Sequence, residues 1–86
     1  MQVTRELDLV AKCPNTSGTH SYRVTVFTSD FIPVEEIIAA VGQLANTTGY
    51  QEELTVRLSK LLPGCEVETR GWHSGVRTTA VSREGN

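Results

Sequence analysis

The chain begins with a segment in which apolar and polar residues alternate, as in a strand with one buried face. The apolar side of this segment carries Val3, Leu7, Leu9 and Ala11. A second alternating segment, residues 21–28, is rich in the β-branched and aromatic residues that favour strands. Residues 13–20 between them are crowded with Pro, Asn, Ser and Gly, which is typical of a loop. We therefore predict two strands joined as a hairpin with a long connection.

The hydrophobic period then lengthens to three or four residues, which predicts two helices. The apolar stripe of the first consists of Val34, Ile37, Ile38, Val41, Leu44 and Ala45. Pro33 suits the first helical position. Thr48 and Gln51 have the spacing of a capping box for the second helix, and Pro63 with Gly64 ends it. The predicted buried stripe of the second helix consists of Tyr50, Leu54, Leu58, Leu61 and Leu62.

Two further alternating segments, residues 65–70 and 76–81, complete the order ββααββ. Strands on either side of a helix pair predict an α+β fold, a four-stranded antiparallel-rich sheet with both helices on one face. We expect one small domain over residues 1–86, with a short polar tail from about residue 82. The turn of the last hairpin is assigned to residues 73–75, where glycine tolerates a positive φ. The predicted helix-covered face of the sheet carries Leu7, Leu9, Val24, Val26, Val67 and Val76.

Composition and charge narrow the function classes. A net charge of −2 and a pI near 5.6 argue against a general nucleic-acid binder. No apolar run approaches the ~20 residues of a membrane span, and the N-terminal segment lacks the apolar block of a signal peptide. We therefore expect a cytoplasmic protein without membrane contact. In that reducing compartment Cys13 and Cys65 are expected to be free thiols rather than a disulfide.

Two kinds of chemistry are open to the cysteines and histidines. Cys13, His20, Cys65 and His73 are ligand types that suit zinc, but their spacing is looser than that of a zinc knuckle. Cys13 with His20 or His73 is a candidate nucleophile and base, without any local signature around it. The alternative is two buried thiols and two loop histidines, and we expect no cofactor and no metal.

The last hairpin holds the aromatic and basic residues of greatest interest. Arg70, Trp72, His73 and Arg77 are candidates for partner binding, because Trp and Arg anchor many protein interfaces. Phe27 and Val81 join them, since we place both on the sheet face that the helices leave open. Two alternatives remain: Trp72 covers the edge of the core, or the cluster contacts nucleic acid.

The main functional prediction follows from the absence of an intact catalytic motif. We predict a non-enzymatic module that binds another protein as an adaptor, inhibitor or accessory factor, either alone or as a homodimer. Arginine outnumbers lysine six to two, which suits interface use. A nucleic-acid accessory protein that contacts the backbone through Arg70, Arg77 and Arg83 is a further alternative.

A resemblance to a known family supplies another alternative. The order ββααββ, with CPNTSGTHSYRVTV leading into the first helix, resembles the tunnelling-fold pterin and purine enzymes. The resemblance implies that Cys13 corresponds to the catalytic cysteine of those enzymes and Glu68 to the glutamate that holds the heterocycle. It also implies that His20 and Tyr22 correspond to the second histidine and the tyrosine of their His-Gly-His-x-Tyr strand. Gly18 stands where that motif has its first histidine, which puts the zinc site in doubt. The resemblance thus implies a degenerate ligand-binding relative with Cys13, His20 and Glu68 in a pocket at a subunit interface.

Overall fold

The computed structural model describes residues 1–16 and 18–83. Its elements are β1 (Val3–Lys12), β2 (Thr19–Thr28), α1 (Val34–Leu44), α2 (Gln51–Leu61), β3 (Glu66–His73) and β4 (Val76–Arg83). The four strands form one antiparallel sheet in the order β1-β2-β3-β4. The predicted α+β class and the order ββααββ are confirmed.

The strand register follows from the alternation in the sequence. Leu7 pairs with Val24 and Val26 pairs with Val67, so the apolar side chains of β1, β2 and β3 share the face on which the helices pack. The turn between β3 and β4 consists of Ser74 and Gly75, whose φ angles are 51° and 82°. Positive φ at both central positions is the geometry of a two-residue hairpin, which explains a glycine at the second.

The core lies between the sheet and the inner sides of both helices. Its largest fully buried apolar side chains are Leu9, Val24, Val26, Ile37, Leu54, Leu58 and Val67. The side of α2 that faces β3 and β4 is polar: the Thr55 hydroxyl lies 2.6 Å from that of Thr69, and the Ser59 hydroxyl 3.0 Å from that of Ser82. Because these hydroxyls form hydrogen bonds with one another, α2 can pack on β3 and β4 through polar side chains.

Several predicted core positions are exposed. The structure exposes Val34, Ile38, Ala45, Tyr50, Leu61 and Val76. Each helix contacts the sheet along one side only, so apolar residues at the margins of the predicted stripes point away from the sheet. Val76 is exposed for another reason, because it begins β4 outside the area that the helices cover. The stripe of α1 that is buried is narrower than predicted and consists of Ile37, Ala40, Val41 and Leu44.

Two predicted boundaries also differ. The start of α2 is not capped by Thr48; instead the Tyr50 backbone N–H donates to the Glu53 carboxylate at 3.0 Å. Pro33 lies just before α1 rather than within its first turn. β4 continues to Arg83, and the remainder of the predicted polar tail lies outside the described residues. Cys13 and Cys65 are free thiols, and no helix of the described chain is long and apolar enough to cross a membrane.

The loop between the helices is fixed against the outer edge of β1. The Lys12 N–H donates to the Thr47 carbonyl at 2.8 Å, and the Gly49 N–H donates to the Lys12 carbonyl at 3.1 Å. The Asn46 N–H donates to the Val10 carbonyl at 2.8 Å. These bonds add a short parallel bridge to β1 and bring the first turn of α2 beside the residues that follow β1. The candidate site forms at this junction.

Candidate functional site

A cleft of about 230 Å³ opens at the end of the sheet where β1 ends, β2 begins and β3 ends. The first turn of α2 closes one side of it. The side chains of this cleft that can contact a ligand are those of Cys13, Asn15, His20, Tyr22, Tyr50, Glu52, Trp72 and His73. Residues that are far apart in the sequence therefore meet in one place.

The loop after β1 holds Cys13 in a ring of backbone donors. The Cys13 N–H donates to the Gly18 carbonyl at 2.8 Å, and the Gly18 N–H donates to the Thr16 hydroxyl at 3.2 Å. The backbone N–H groups of Asn15 and Thr16 lie within hydrogen-bond reach of the Cys13 sulfur, with a smaller contribution from the Thr16 hydroxyl. These donors stabilise the thiolate and lower the pKa of Cys13. A thiol of lowered pKa in a cleft is a candidate nucleophile.

Tyr22 lies beneath the cleft on the helix-covered face of the sheet. Burial raises the pKa of its hydroxyl, and the negative charges of Cys13 and Glu52 raise it further. The Tyr22 ring packs directly against Gly71 of β3, where a Cβ added to the glycine would stand only 2.7 Å from the ring carbon Cδ1. Tyr22 therefore keeps its proton at neutral pH, so its hydroxyl remains able to donate a hydrogen bond.

The two histidines meet across β2 and β3. The rings of His20 and His73 are stacked with their centroids 5.4 Å apart and their planes 23° from parallel. The rings of His20 and Tyr22 lie 6.3 Å apart and are also nearly parallel. Three nearly parallel aromatic rings therefore lie together at the cleft, where they offer contacts to an aromatic ligand.

The start of α2 is locked to both neighbouring segments. The Tyr50 hydroxyl donates to the Asn15 side-chain oxygen at 2.9 Å. The Gln51 amide nitrogen donates to the carbonyls of Thr69 at 3.0 Å and Thr78 at 3.1 Å, and its oxygen accepts from the Thr78 hydroxyl. Gln51 thus serves the fold, while its neighbour Glu52 remains exposed at the cleft.

The structure separates the four residues proposed as zinc ligands. Cys13, His20 and His73 line the same cleft, but Cys65 is fully buried just before β3. His73 ends that strand, so a rise of ~3.3 Å per residue puts Cys65 roughly 26 Å from it. Among the described residues, no group of three or more His, Cys, Asp or Glu side chains is placed to hold a metal ion.

Glu68 does not join Cys13 and His20. It lies in the middle of β3 on the open face of the sheet, where its carboxylate pairs with Arg70 at 3.3 Å. The carboxylate that the fold brings to the cleft is that of Glu52. The sequence analysis missed Glu52, Tyr50 and Asn15, because their proximity to Cys13 depends on the bridge between Lys12 and Thr48.

The residues proposed for partner binding divide between two surfaces. Arg70, Trp72, Arg77, Phe27 and Val81 lie on the open face of the sheet, as predicted for the last two. His73 lies on the other face and belongs to the cleft. The Trp72 side chain is 61% exposed and therefore does not cover the core.

The chain belongs to the α+β class, with ββααββ order and two helices on one face of a four-stranded antiparallel sheet. A solved structure described as the archaeosine synthase QueF-Like in the apo form superposes on this chain with a TM-score of 0.88. The alignment covers 99% of this chain and 94% of that one, at 20% sequence identity. No protein-family model and no curated protein matches the chain.

This comparison contradicts the prediction of a non-enzymatic protein-binding module. That prediction depended on the absence of an intact catalytic motif, whereas the whole chain superposes on a protein described as a synthase. The tunnelling-fold resemblance was carried by Cys13, His20 and Tyr22, and all three line one cleft. The alternative of a tunnelling-fold-like ligand-binding protein is therefore better supported.

Proposed function

We propose that the chain is an enzyme that modifies a purine-like heterocycle, with Cys13 as the nucleophile. The observation that carries this proposal is the joint placement in one cleft of a thiol with lowered pKa, a protonated Tyr22 and stacked aromatic rings. The solved archaeosine synthase QueF-Like supports it, because the two chains share their fold over nearly their full length. An enzyme of tRNA modification is the specific form of the proposal.

The cleft offers a complementary partner for each part of such a ligand. A flat heterocycle in the cleft would pack beside the rings of His20 and His73, and the Glu52 carboxylate would accept hydrogen bonds from its ring N–H groups. The Cys13 thiolate then adds to an electron-poor carbon. A carbon–sulfur bond forms as the π bond between that carbon and its nitrogen breaks, and the π electron pair moves to the nitrogen. The Tyr22 hydroxyl, which lines the same cleft, would donate a hydrogen bond to that nitrogen.

A second copy of the chain is part of this proposal. The cleft, at about 230 Å³, is smaller than the ~300–1,000 Å³ of typical ligand pockets. The first strand of the sheet is partly covered by the loop between the helices, whereas β4 is an edge strand. An unpaired strand edge invites another chain, which would enlarge and close the pocket.

Guanosine is expected to protect Cys13 from alkylation if the cleft binds a purine. The native chain would be treated with iodoacetamide at increasing guanosine concentrations, and modification at each cysteine followed by peptide mass spectrometry. Uridine serves as the matched ligand control, and we expect protection at lower concentrations of guanosine than of uridine. An alkylation rate that does not change with guanosine would contradict the proposal.

A further inference from the structure

The open face of the sheet carries a second depression beside the cleft. Its volume is about 350 Å³, and it is lined by Asp8, Ser21, Arg23, Arg70, Gly71, Trp72 and Arg77. Three of its side chains are cationic and one is anionic, although the chain as a whole has a net charge of −2. Arginine side chains are therefore concentrated at this point of an acidic protein, where Glu6, Asp8 and Glu68 neutralise part of their charge.

Neighbouring carboxylates hold two of the three guanidinium groups in place. Arg23 donates from Nε to Asp8 at 2.9 Å and from one terminal nitrogen to Glu6 at 3.2 Å. Arg70 is held through Nε by Glu68 at 3.3 Å. Both arginines keep terminal N–H groups beyond these contacts, because a guanidinium has five donors. Their orientation is thus fixed while donors remain for a ligand.

Arg77 is the least neutralised cation of the depression. Its guanidinium carbon lies 4.9 Å from the centre of the Trp72 ring, which positions it through a cation–π contact. Among residues 1–16 and 18–83, no carboxylate forms an ion pair with it. Arg77 therefore has its full charge available for an anion.

Trp72 connects the depression to the cleft. Its side chain lines both, although the cleft lies on the helix-covered face of the sheet and the depression on the open face. A ligand with its flat ring in the cleft and its anionic group in the depression would pass over Trp72. A nucleoside carrying a phosphate has this shape and charge.

We propose that the depression formed by Arg23, Arg70 and Arg77 binds a phosphate group of a nucleotide whose base occupies the Cys13 cleft. The inference rests on the proposed function, and it adds the place on the chain where a phosphate of the substrate is bound. Arginine suits this role because its planar fork donates two parallel hydrogen bonds to phosphate oxygens. The shared chemistry is a phosphate ester, whether of a mononucleotide or of an RNA strand.

Calorimetric titration of guanosine against guanosine 5′-monophosphate tests the phosphate site. The monophosphate is expected to bind the native chain at least about tenfold more tightly, and this advantage should shrink as salt is raised from about 0.05 to about 0.5 M. Arg77→Gln is expected to remove most of the advantage, measured as the ratio of the affinities for the monophosphate and for guanosine. Arg77→Lys should retain part of the advantage, because lysine keeps the positive charge but lacks the paired N–H donors of the guanidinium group.

Lys60→Gln is the matched control, because it removes one positive charge from the exposed last turn of α2. This variant should keep the full preference for the monophosphate. Equal affinity for guanosine and its monophosphate would overturn the phosphate site and leave the proposed function standing. The site would also be overturned if Lys60→Gln reduced the preference for the monophosphate as much as Arg77→Gln does. Non-specific electrostatic attraction between the phosphate and the chain would then explain the preference.

A third ligand separates the two sources of phosphate. A six-nucleotide single-stranded RNA with a terminal guanosine is titrated under the same conditions. Tighter binding of the RNA than of the monophosphate, abolished by Arg77→Gln, supports the site and assigns it to an RNA strand. The reverse order with the same loss in Arg77→Gln supports the site and assigns it to free nucleotides. RNA binding that is unaffected by Arg77→Gln contradicts the proposal.

Discussion

Iodoacetamide is expected to modify Cys13 in the folded chain and to leave Cys65 unmodified. Cys13 is 8% exposed and lies at the cleft, whereas Cys65 is 0% exposed in the core. Because the thiolate is the reactive form and the pKa of Cys13 is lowered, the rate should reach half its maximum below pH ~8.5, where an ordinary thiol titrates. Cys13→Ser should abolish native labelling.

A pair of substitutions at Asn15 isolates the cause of this reactivity. Asn15→Pro removes the backbone N–H that contributes most to the lowered pKa of Cys13, so the pH midpoint of labelling should rise toward that of a free thiol. Asn15→Ala keeps that N–H and loses only the hydrogen bond from Tyr50, so the midpoint should stay near that of the native chain. Equal midpoints for both variants would refute the role of the backbone donors.

The same lowered pKa makes stability depend on pH. The thiolate is favoured in the folded state, so its contribution is fully present above the pKa of the unfolded thiol, about 8.5. That contribution is lost as the pH falls through the lower folded pKa. The free energy of unfolding of the native chain, relative to that of Cys13→Ser, should therefore increase as the pH rises and level off above about 8.5.

Gly71→Ala is expected to destabilise the chain by about 1–3 kcal/mol, the usual cost of overpacking. The new methyl group would stand 2.7 Å from Cδ1 and 3.0 Å from Cε1 of the buried Tyr22 ring. The ring must then shift, and because Tyr22 lines the cleft, guanosine protection of Cys13 should weaken as well. Chemical denaturation measures the first effect and competitive alkylation the second.

Gly42→Ala is the matched control for this substitution. A Cβ at Gly42 meets no atom within 4 Å, and the residue lies inside α1. Alanine in a helix is favoured over glycine by ~1 kcal/mol, so this variant should be slightly more stable than the native chain. A Gly71→Ala variant as stable as the native chain would show that Tyr22 does not pack as the structure describes.

The sequence predicted the order of elements because local periodicity carries that information. Alternation in β1 and β2 and the wider period in α1 reflect the face that each element buries. Periodicity predicted the width of each stripe less well. Ile38 shares the apolar stripe of α1 with Ile37, yet only Ile37 reaches the sheet.

The candidate site was only partly predictable, for two physical reasons. The lowered pKa of Cys13 comes mainly from backbone N–H groups, which leave no signature in side-chain types. Glu52 reaches the cleft through hydrogen bonds between the helix connection and β1, which no local pattern reveals. Cys13, His20 and Tyr22, which carried the resemblance, line one cleft, whereas Glu68, to which the resemblance assigned the heterocycle, lies on the other face of the sheet.

The most direct test of the central claim uses an electrophilic purine nucleoside, 2-amino-6-chloropurine riboside. The Cys13 thiolate would displace chloride from C6, forming a carbon–sulfur bond, and intact mass spectrometry would follow the adduct. The account predicts one adduct per chain at Cys13, with a rate that saturates with nucleoside concentration, falls with added guanosine and vanishes in Cys13→Ser. A rate that rises linearly with concentration and equals that of glutathione would contradict it.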